Sequence, residues 1–259
     1  MKPIRFLILF TVLVLVAAGP AVDHNLLRLR RGVNHLTIDR TPTWLRAERF
    51  EVNARMPRAG EVLLGTYDRK RQVAITFDDG PHPDYTPKLV AMLKRLHVPA
   101  TFFLVGKMVD QYPYLARLEV KNGFEVGNHS YSHACMTQMS RLESLTELKA
   151  DNLAIYHACG KWPHYFRPPG GDADARTVRE AAANGLAVTM WSDDPGDYNC
   201  DNAHTIVVKT LRKLSDGGII LLHDGGPATL KALPNLIRDI RARGYKFVPL
   251  RDLVRTQRY

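Results

Sequence analysis

Two pairs of polar side chains have the types and the spacing that metal-assisted hydrolysis needs. Asp78 and Asp79 are adjacent in the run Thr-Phe-Asp-Asp-Gly-Pro, and neighbouring carboxylates repel each other unless a cation or a hydrogen-bond donor lies close. His129 and His133 are four residues apart, a spacing that places both rings on one face of a helical turn. Two imidazoles and one carboxylate make a ligand set that leaves positions open for water and a substrate oxygen. The sequence therefore predicts a site for one divalent metal ion.

Each pair alone also has a plainer interpretation, because Asp-Gly-Pro favours a turn and a chain with ten histidines contains chance pairs. Three further clusters favour chemistry. Arg167, in the run Phe-Arg-Pro-Pro-Gly-Gly, is able to pair with a carboxylate, although this run is also typical of a rigid surface loop. Residues 191–198 contain three acids and two aromatic rings, and His223 ends the apolar run Leu-Leu-His.

From Val73 onwards, short apolar strands alternate with helical stretches, which predicts an α/β fold with a parallel sheet. The seven predicted strands are 73–77, 100–105, 125–128, 165–167, 187–191, 218–222 and 246–248. Helices are predicted at 84–96, 140–158, 175–184, 205–214 and 228–243, and the second of these opens on a capping box, Ser140 with Glu143. The sheet is either an open doubly wound sheet or a barrel, and in both folds functional residues gather at the carboxyl ends of the strands. The five polar clusters follow five predicted strands.

The first 21 residues are predicted to be a targeting segment. Lys2 and Arg5 precede an apolar run at 6–18, and small residues follow it, as in a signal peptide. The alternative is an uncleaved membrane anchor formed by residues 6–22. Residues 22–70 have weak periodicity and are interpreted as a lead-in, and residues 71–259 as the catalytic domain. We therefore expect an exported protein, either periplasmic, extracellular or anchored to the outer face of the cytoplasmic membrane.

The formal net charge of +10 falls by two, to +8, if Lys2 and Arg5 leave with a signal peptide. An exported basic protein meets anionic envelope polymers, which the charge would attract, although a solvated surface without a partner is the plainest interpretation. No nucleic-acid-binding motif accompanies the charge, so nucleic acid is not an expected partner. We expect a monomer.

Three cysteines allow at most one disulfide. Cys135 and Cys200 follow predicted strand ends, whereas Cys159 closes a helix that runs back toward the opposite face. A disulfide needs Cα atoms within about 7 Å, so the sequence favours Cys135–Cys200 over any pairing with Cys159. Three free thiols are an equally good interpretation, because loop separations are not encoded in the spacing.

The five motifs, in this order, resemble the polysaccharide deacetylases that share the NodB homology domain, which form carbohydrate esterase family 4. The resemblance covers residues 71–253, about 70% of the chain. It implies a distorted (β/α)7 barrel and a hydrolase that removes N-acetyl groups from sugars of a polysaccharide. It also implies that Asp79, His129 and His133 bind one divalent metal, most often Zn²⁺, with Co²⁺, Ni²⁺ or Fe²⁺ as alternatives.

The same resemblance implies roles for the other motif residues. Asp78 would be the general base, with Arg167 orienting it, and His223 would be the general acid, with Asp197 supporting it. The pocket for the acetyl methyl group would be lined by Trp191, Tyr198 and Leu221. Four positions depart from the family pattern, including Cys135 and Cys200, which stand in loops where that pattern has no cysteine. Gly170 replaces a common tyrosine whose backbone N–H is assigned to the oxyanion, and Tyr198 replaces a frequent tryptophan.

Three functions remain open from the sequence. The first is an N-deacetylase of an acetylated envelope polysaccharide, with peptidoglycan favoured over chitin, poly-N-acetylglucosamine and O-acetylated xylan. The second is a deacylase of another amide, such as a formamido sugar on a lipid. The third is a non-catalytic sugar-binding protein on the same fold. A binding protein is expected to have lost Asp78 or His223, and both are present.

Overall fold

A parallel sheet forms the scaffold in the computed structural model, which describes residues 62–65 and 70–253. The predicted targeting segment and nearly all of the lead-in lie outside the described residues. In the described part of the chain there are eight strands: β1 (Val62–Leu63), β2 (Gln72–Gly80), β3 (Ala100–Leu104), β4 (Glu125–Asn128), β5 (Tyr165–Phe166), β6 (Ala187–Thr189), β7 (Gly218–His223) and β8 (Lys246–Phe247). The helices are α1 (Thr86–Arg95), α2 (Gly106–Gln111), α3 (Pro113–Lys121), α4 (Arg141–Cys159), α5 (Ala175–Ala183), α6 (Ala203–Lys213), α7 (Pro227–Ala242) and α8 (Leu250–Leu253). None of the helices described is both long enough and apolar enough for a membrane crossing.

The sheet curls until its two ends almost meet. The strand order is β1-β6-β5-β4-β3-β2-β7, and β8 pairs with β2 beside this path. The seam between the ends is bridged by Gly65 with Gly218 and by Asp193 with Ile220. The Leu221 N–H also donates to the Asp193 carbonyl at 2.8 Å. This arrangement confirms the predicted distorted (β/α)7 type of fold.

Alternation along the central strands separates two faces. Val73, Ile75 and Phe77 of β2 pack in the core cluster that also contains the apolar faces of α1 and α7. The residues between them lie on the other face, where Ala74 packs in a second cluster with Phe103, Trp191 and Leu221. Because side chains alternate with a period of two, Thr76 and Asp78 lie on this second face too. The face that Asp78 shares is therefore the one that points into the curl of the sheet.

Several elements have a local cause in the sequence. The predicted capping box at the start of α4 is confirmed, because the Ser140 side chain accepts from the Glu143 N–H and the Glu143 side chain accepts from the Ser140 N–H. Gly160 ends the same helix in the left-handed conformation that glycine adopts without strain. Proline occupies the first turn of α1, α3 and α7, where its missing N–H costs nothing.

Four elements were not predicted: β1, α2, α3 and α8, the last of which has only four residues. β1 pairs only two residues and α2 has six, so neither is long enough to show a periodicity. Pro113 at the first turn of α3 was a usable signal. β1 lies inside the segment interpreted as a lead-in and pairs with β6, so the sheet includes Val62 and Leu63 from that segment.

Candidate functional site

The predicted metal ligands come together at the carboxyl ends of β2 and β4. The Oδ1 atom of Asp79 lies 3.2 Å from Nε2 of His129 and 3.0 Å from Nε2 of His133. All three ligand atoms lie within 4.8 Å of one another. Although burial opposes it, hydrogen bonds with the two histidines hold the pKa of Asp79 well below its usual value. Asp79 is therefore an anion facing two imidazole nitrogens, which is a donor set that suits a divalent transition metal.

The predicted helical turn between the two histidines is wrong. The segment from His129 to His133 is not helical, and Ser130 and His133 have positive φ angles of 62° and 59°. Asp79 is also left-handed, at φ 71°, just after the register of β2 against β3 shifts between Phe77 and Gly80. An irregular backbone therefore aims these ligands, and the imidazole centroids still lie 5.0 Å apart.

His129 is held in the tautomer that metal binding requires. Its Nδ1 lies 2.7 Å from the Arg167 carbonyl oxygen, which can only accept, so Nδ1 carries a proton and Nε2 is the ring atom directed at Asp79 and available to a metal ion. The His129 backbone N–H donates to the Leu104 carbonyl and to Asp151 Oδ2, both at 2.9 Å. These contacts orient the His129 ring before any metal ion binds, so the residues present fit a bound metal ion.

Asp78 and Arg167 form a buried ion pair next to the ligands. Arg167 Nη1 donates to Asp78 Oδ1 at 2.7 Å and to the Thr76 hydroxyl at 2.8 Å. The remaining guanidinium donors reach the backbone carbonyls of Thr189 and Met190, at 3.0 and 2.9 Å. These four hydrogen bonds fix Arg167 in place, and Arg167 in turn holds Asp78 in one orientation. Burial lowers the pKa of Arg167, while the charge of Asp78 opposes that shift.

His223 stands beside Asp78 on the neighbouring strand, as its register partner in β7. Its Nδ1 lies 2.7 Å from Asp197 Oδ1, and its backbone N–H donates to Asp197 Oδ2 at 2.9 Å. Burial lowers the pKa of His223, but the hydrogen bond to Asp197 and the charges of Asp197, Asp78 and Asp79 outweigh it and raise the pKa to about 9. His223 is therefore an imidazolium with Asp197 behind it.

The four predicted pocket residues differ in their surroundings. Trp191 and Leu221 are buried and share one apolar cluster, beside which Arg167 lies. Tyr198 is half exposed, and its ring centroid lies 5.2 Å from that of His223. Gly170 is exposed in a left-handed conformation, φ 63°, and no acceptor among the described residues takes its N–H. Trp191 and Leu221 thus form an apolar wall, whereas Tyr198 and Gly170 form an exposed rim.

Comparison with known proteins identifies the family. The family model described as polysaccharide deacetylase matches residues 66–189. A peptidoglycan-N-acetylglucosamine deacetylase of Bacillus cereus is 36% identical over 204 residues, which are 76% of this chain and 94% of that protein. The chain belongs to the polysaccharide deacetylase family. The resemblance inferred from the motifs is confirmed.

Two further relatives show the range of the family. A chitooligosaccharide deacetylase of Bradyrhizobium sp. is 35% identical, over 73% of this chain and 93% of that protein. The crystal structure of a carbohydrate esterase family 4 pseudoenzyme from Bacillus anthracis aligns with a TM-score of 0.72 and 29% identity. That alignment covers 75% of this chain and 69% of that one. The deacetylases of carbohydrate esterase family 4 are metal-dependent, and this chain has a candidate metal site made of an aspartate and two histidines.

Sequence reasoning missed three residues that support the site. Thr76 accepts from Arg167, Thr229 donates to Asp197 Oδ2 at 2.6 Å, and Asp151 accepts from the His129 N–H. Thr76 had a signal, because it shares the alternating face of Asp78 two residues away. Thr229 and Asp151 lie on helices that the motifs do not include, so nothing in the sequence pointed to them.

The cysteines do not form the disulfide that was one of the two interpretations, because Cys135, Cys159 and Cys200 are all free thiols. The Cys135 thiol donates to Asp172 Oδ2 at 2.7 Å. The Cys200 thiol instead donates to the Asn202 carbonyl at 3.5 Å. The two loops thus turn their thiols to separate partners.

Proposed function

We propose that the protein is a metal-dependent hydrolase that removes N-acetyl groups from the sugars of an envelope or extracellular polysaccharide. The observation that carries this proposal is the meeting of a base, a ligand set and an acid at one edge of the sheet: Asp78 and His223 are register partners, and Asp79 follows Asp78 directly. Acyl transfer from nitrogen needs all three, because an amide is a poor electrophile and an amine is a poor leaving group.

The ligand set suits zinc, with Co²⁺, Ni²⁺ and Fe²⁺ as alternatives. Asp79, His129 and His133 would hold the ion. When bound, it would polarise the acetyl carbonyl and lower the pKa of water. The protein's own part is to keep Asp79 ionised and His129 in the correct tautomer, as the contacts of their side chains indicate.

Asp78 is proposed as the general base. Arg167 occupies its Oδ1, while its Oδ2 lies 3.9 Å from Nε2 of His129 and so faces the ligand set. The free oxygen is the one positioned to take a proton from the attacking water. Because Arg167 remains charged beside it, the ion pair keeps Asp78 oriented through the reaction.

His223 is proposed as the general acid. Its Nδ1 is engaged with Asp197, so the proton available for transfer is on Nε2. That proton would pass to the sugar nitrogen as the carbon–nitrogen bond breaks, leaving acetate and a free amine. Trp191 and Leu221 would enclose the methyl group, and the unpaired Gly170 N–H would donate to the developing oxyanion. Tyr198 would form the exposed rim of this pocket.

Peptidoglycan is the favoured polymer, since the relative of Bacillus cereus acts on it and the chain is basic. Chitin oligomers remain the alternative, because the Bradyrhizobium relative is a chitooligosaccharide deacetylase. Peptidoglycan as the substrate places the protein outside the cytoplasm, in keeping with the targeting segment expected at residues 1–21, whether it is cleaved or anchors the chain. We further propose that the protein acts as a monomer, with residues 71–259 as its catalytic domain, to whose sheet β1 adds Val62 and Leu63.

A non-catalytic role is the second candidate, because the family contains a pseudoenzyme of similar fold. Acetate release from purified peptidoglycan, chitin oligomers, poly-N-acetylglucosamine and acetylated xylan tests the choice, with and without a chelator. A deacetylase releases acetate from at least one polymer and stops when the metal is removed. Absence of release from every polymer, with metal bound, would favour a binding protein.

Replacing His223 by alanine should slow amide cleavage by on the order of 10²–10⁴-fold. The same variant should cleave an activated aryl acetate almost as fast as the wild type, since an aryl oxide leaves without a proton. Rates on an acetylated chitin oligomer and on the aryl ester measure the difference. His204→Ala, an exposed histidine on α6, is the control and should affect neither rate. Equal losses on both substrates would remove His223 from the acid role.

Replacing Asp197 by asparagine should move the alkaline limb of kcat/KM to lower pH. The acid must be protonated, so activity is lost as the pH rises through the pKa of His223, about 9. Without the hydrogen bond and charge of Asp197, burial is opposed only by the charges of Asp78 and Asp79, so the pKa of His223 should fall toward the ordinary histidine value of about 6.5. The pH profile of kcat/KM measures this, with the exposed Asp201→Asn as control. An unmoved alkaline limb would show that another group sets it.

A further inference from the structure

A cleft opens beside the proposed pocket, between the loop that follows β6 and helix α6. One wall is formed by residues of the loop, including Trp191, Asp194 and Tyr198. The opposite wall is formed by three basic residues of α6: Lys209, Arg212 and Lys213. These lie at spacings of three and four, so they share one face of the helix.

The cleft adjoins the proposed pocket through two shared residues, Trp191 and Tyr198. Tyr198 lines it and also packs its ring at 5.2 Å from that of His223. Trp191 lines it and also belongs to the apolar cluster that contains Leu221. A polymer with one sugar at His223 continues past the site, and the Tyr198 ring, which contacts His223, is also part of the cleft lining.

The charges of the cleft are unbalanced. Lys209 and Arg212 are exposed and form no ion pair with an acid in the part of the chain that the structure describes. Lys213 differs, because its Nζ donates to the Asp194 carbonyl at 3.0 Å and so braces the loop. Asp194 is the single acid in the lining, and one of its carboxylate oxygens already accepts from the Gly196 N–H at 2.7 Å. The carbonyl dipoles at the end of α6 explain a basic last turn, but Lys209 lies a turn earlier.

We propose that this cleft binds carboxylate groups carried by the polysaccharide, with Lys209 and Arg212 as the residues that select an anionic glycan over a neutral one. The inference rests on the proposed function and deepens it. Arginine is suited to a carboxylate, because its planar group donates two parallel hydrogen bonds. Lactyl and peptide substituents give peptidoglycan such carboxylates, whereas chitin has none. The cleft therefore favours peptidoglycan as the substrate.

The test compares two double variants with equal loss of charge. Lys209→Gln with Arg212→Gln removes the exposed cations of the cleft. Lys94→Gln with Arg95→Gln removes two exposed cations from the last turn of α1, outside the cleft, and controls for net charge and for helix-end effects. The quantity measured is kcat/KM on soluble peptidoglycan glycan fragments divided by kcat/KM on a chitin oligomer of equal length. We expect this ratio to fall about ten-fold or more in the cleft variant at low salt. At about 1 M salt, where the screening length is about 3 Å, the difference should disappear.

A binding measurement separates this inference from the proposed function. Each protein is co-sedimented with insoluble peptidoglycan and, separately, with insoluble chitin. This measurement reports binding and does not depend on turnover. Weaker sedimentation of the cleft variant with peptidoglycan alone supports the inference. Equal sedimentation of the wild type and the cleft variant overturns it, as does an equal loss in the α1 control. Failure of the proposed function would look different, because the wild type would then release acetate from neither polymer.

Discussion

Replacing Asp78 by asparagine is expected to lower turnover by on the order of 10²–10⁴-fold while the metal content stays unchanged, as fits the loss of a general base. Its neighbour should behave in the opposite way, since Asp79→Asn removes the carboxylate that faces both imidazoles and should lose the metal itself. The two side chains are adjacent and chemically identical, yet one substitution should reduce turnover and the other should reduce metal binding.

The structure explains why the substitutions at Asp78 and Asp79 should have different effects. Asp78 is almost fully buried, with one oxygen on Arg167, whereas Asp79 is over two-fifths exposed and has its Oδ1 between His129 and His133. An asparagine at position 78 keeps an oxygen for Arg167 to bind, so the local geometry should survive. The amide of asparagine cannot take a proton from water, so we expect catalysis to be lost.

Metal content by elemental analysis after gel filtration and acetate release on the same samples test this pair. Thermal unfolding of each variant checks that the buried Arg167 tolerates the loss of its anion. The exposed Asp84→Asn, in the loop before α1, is the control and should change neither quantity. Equal loss of metal in the two variants would mean that Asp78 is also a ligand and that the roles are wrongly divided.

The sheet and the location of the site were predictable because both depend on short-range patterns. Apolar runs located most of the strands, and alternation along β2 was a usable signal that Thr76 shares a face with Asp78. Parallel strands bring their carboxyl ends to one edge, so clusters far apart in the sequence were expected to meet there. The contacts among Asp79, His129 and Arg167 bear this out.

The backbone that aims the ligands was not predictable from spacing. His129 and His133 are four apart, yet two left-handed residues, Ser130 and His133, bring their rings together without a helix. Positive φ at a non-glycine residue is stabilised by its surroundings, which a local pattern does not contain. The thiols of Cys135 and Cys200 failed to pair for a related reason, because loop conformations decide which partner each one meets. Thr229, which holds Asp197, lies on a helix outside every motif.

Replacing either His129 or His133 by alanine should remove most of the bound metal and nearly all of the activity, because each ring is proposed as one of three protein ligands. The two variants should differ in stability. His129 is buried, and its Nδ1 proton is bonded to the Arg167 carbonyl, so its loss leaves a buried acceptor without a partner, at a cost of about 1–3 kcal/mol. His133 is 44% exposed and should cost less when removed from the metal-free protein, because the contact that it loses with Asp79 is open to solvent.

The measurements are metal content, acetate release and urea unfolding of metal-free samples, with the exposed His157→Ala on α4 as the control. Unfolding without metal is the informative comparison, since a bound ion would stabilise the wild type and hide the difference between the two sites. Full metal occupancy in either variant would contradict the ligand assignment. Equal destabilisation by both would instead contradict the assigned proton on Nδ1 of His129, and with it the explanation of how the ring is aimed before any metal arrives.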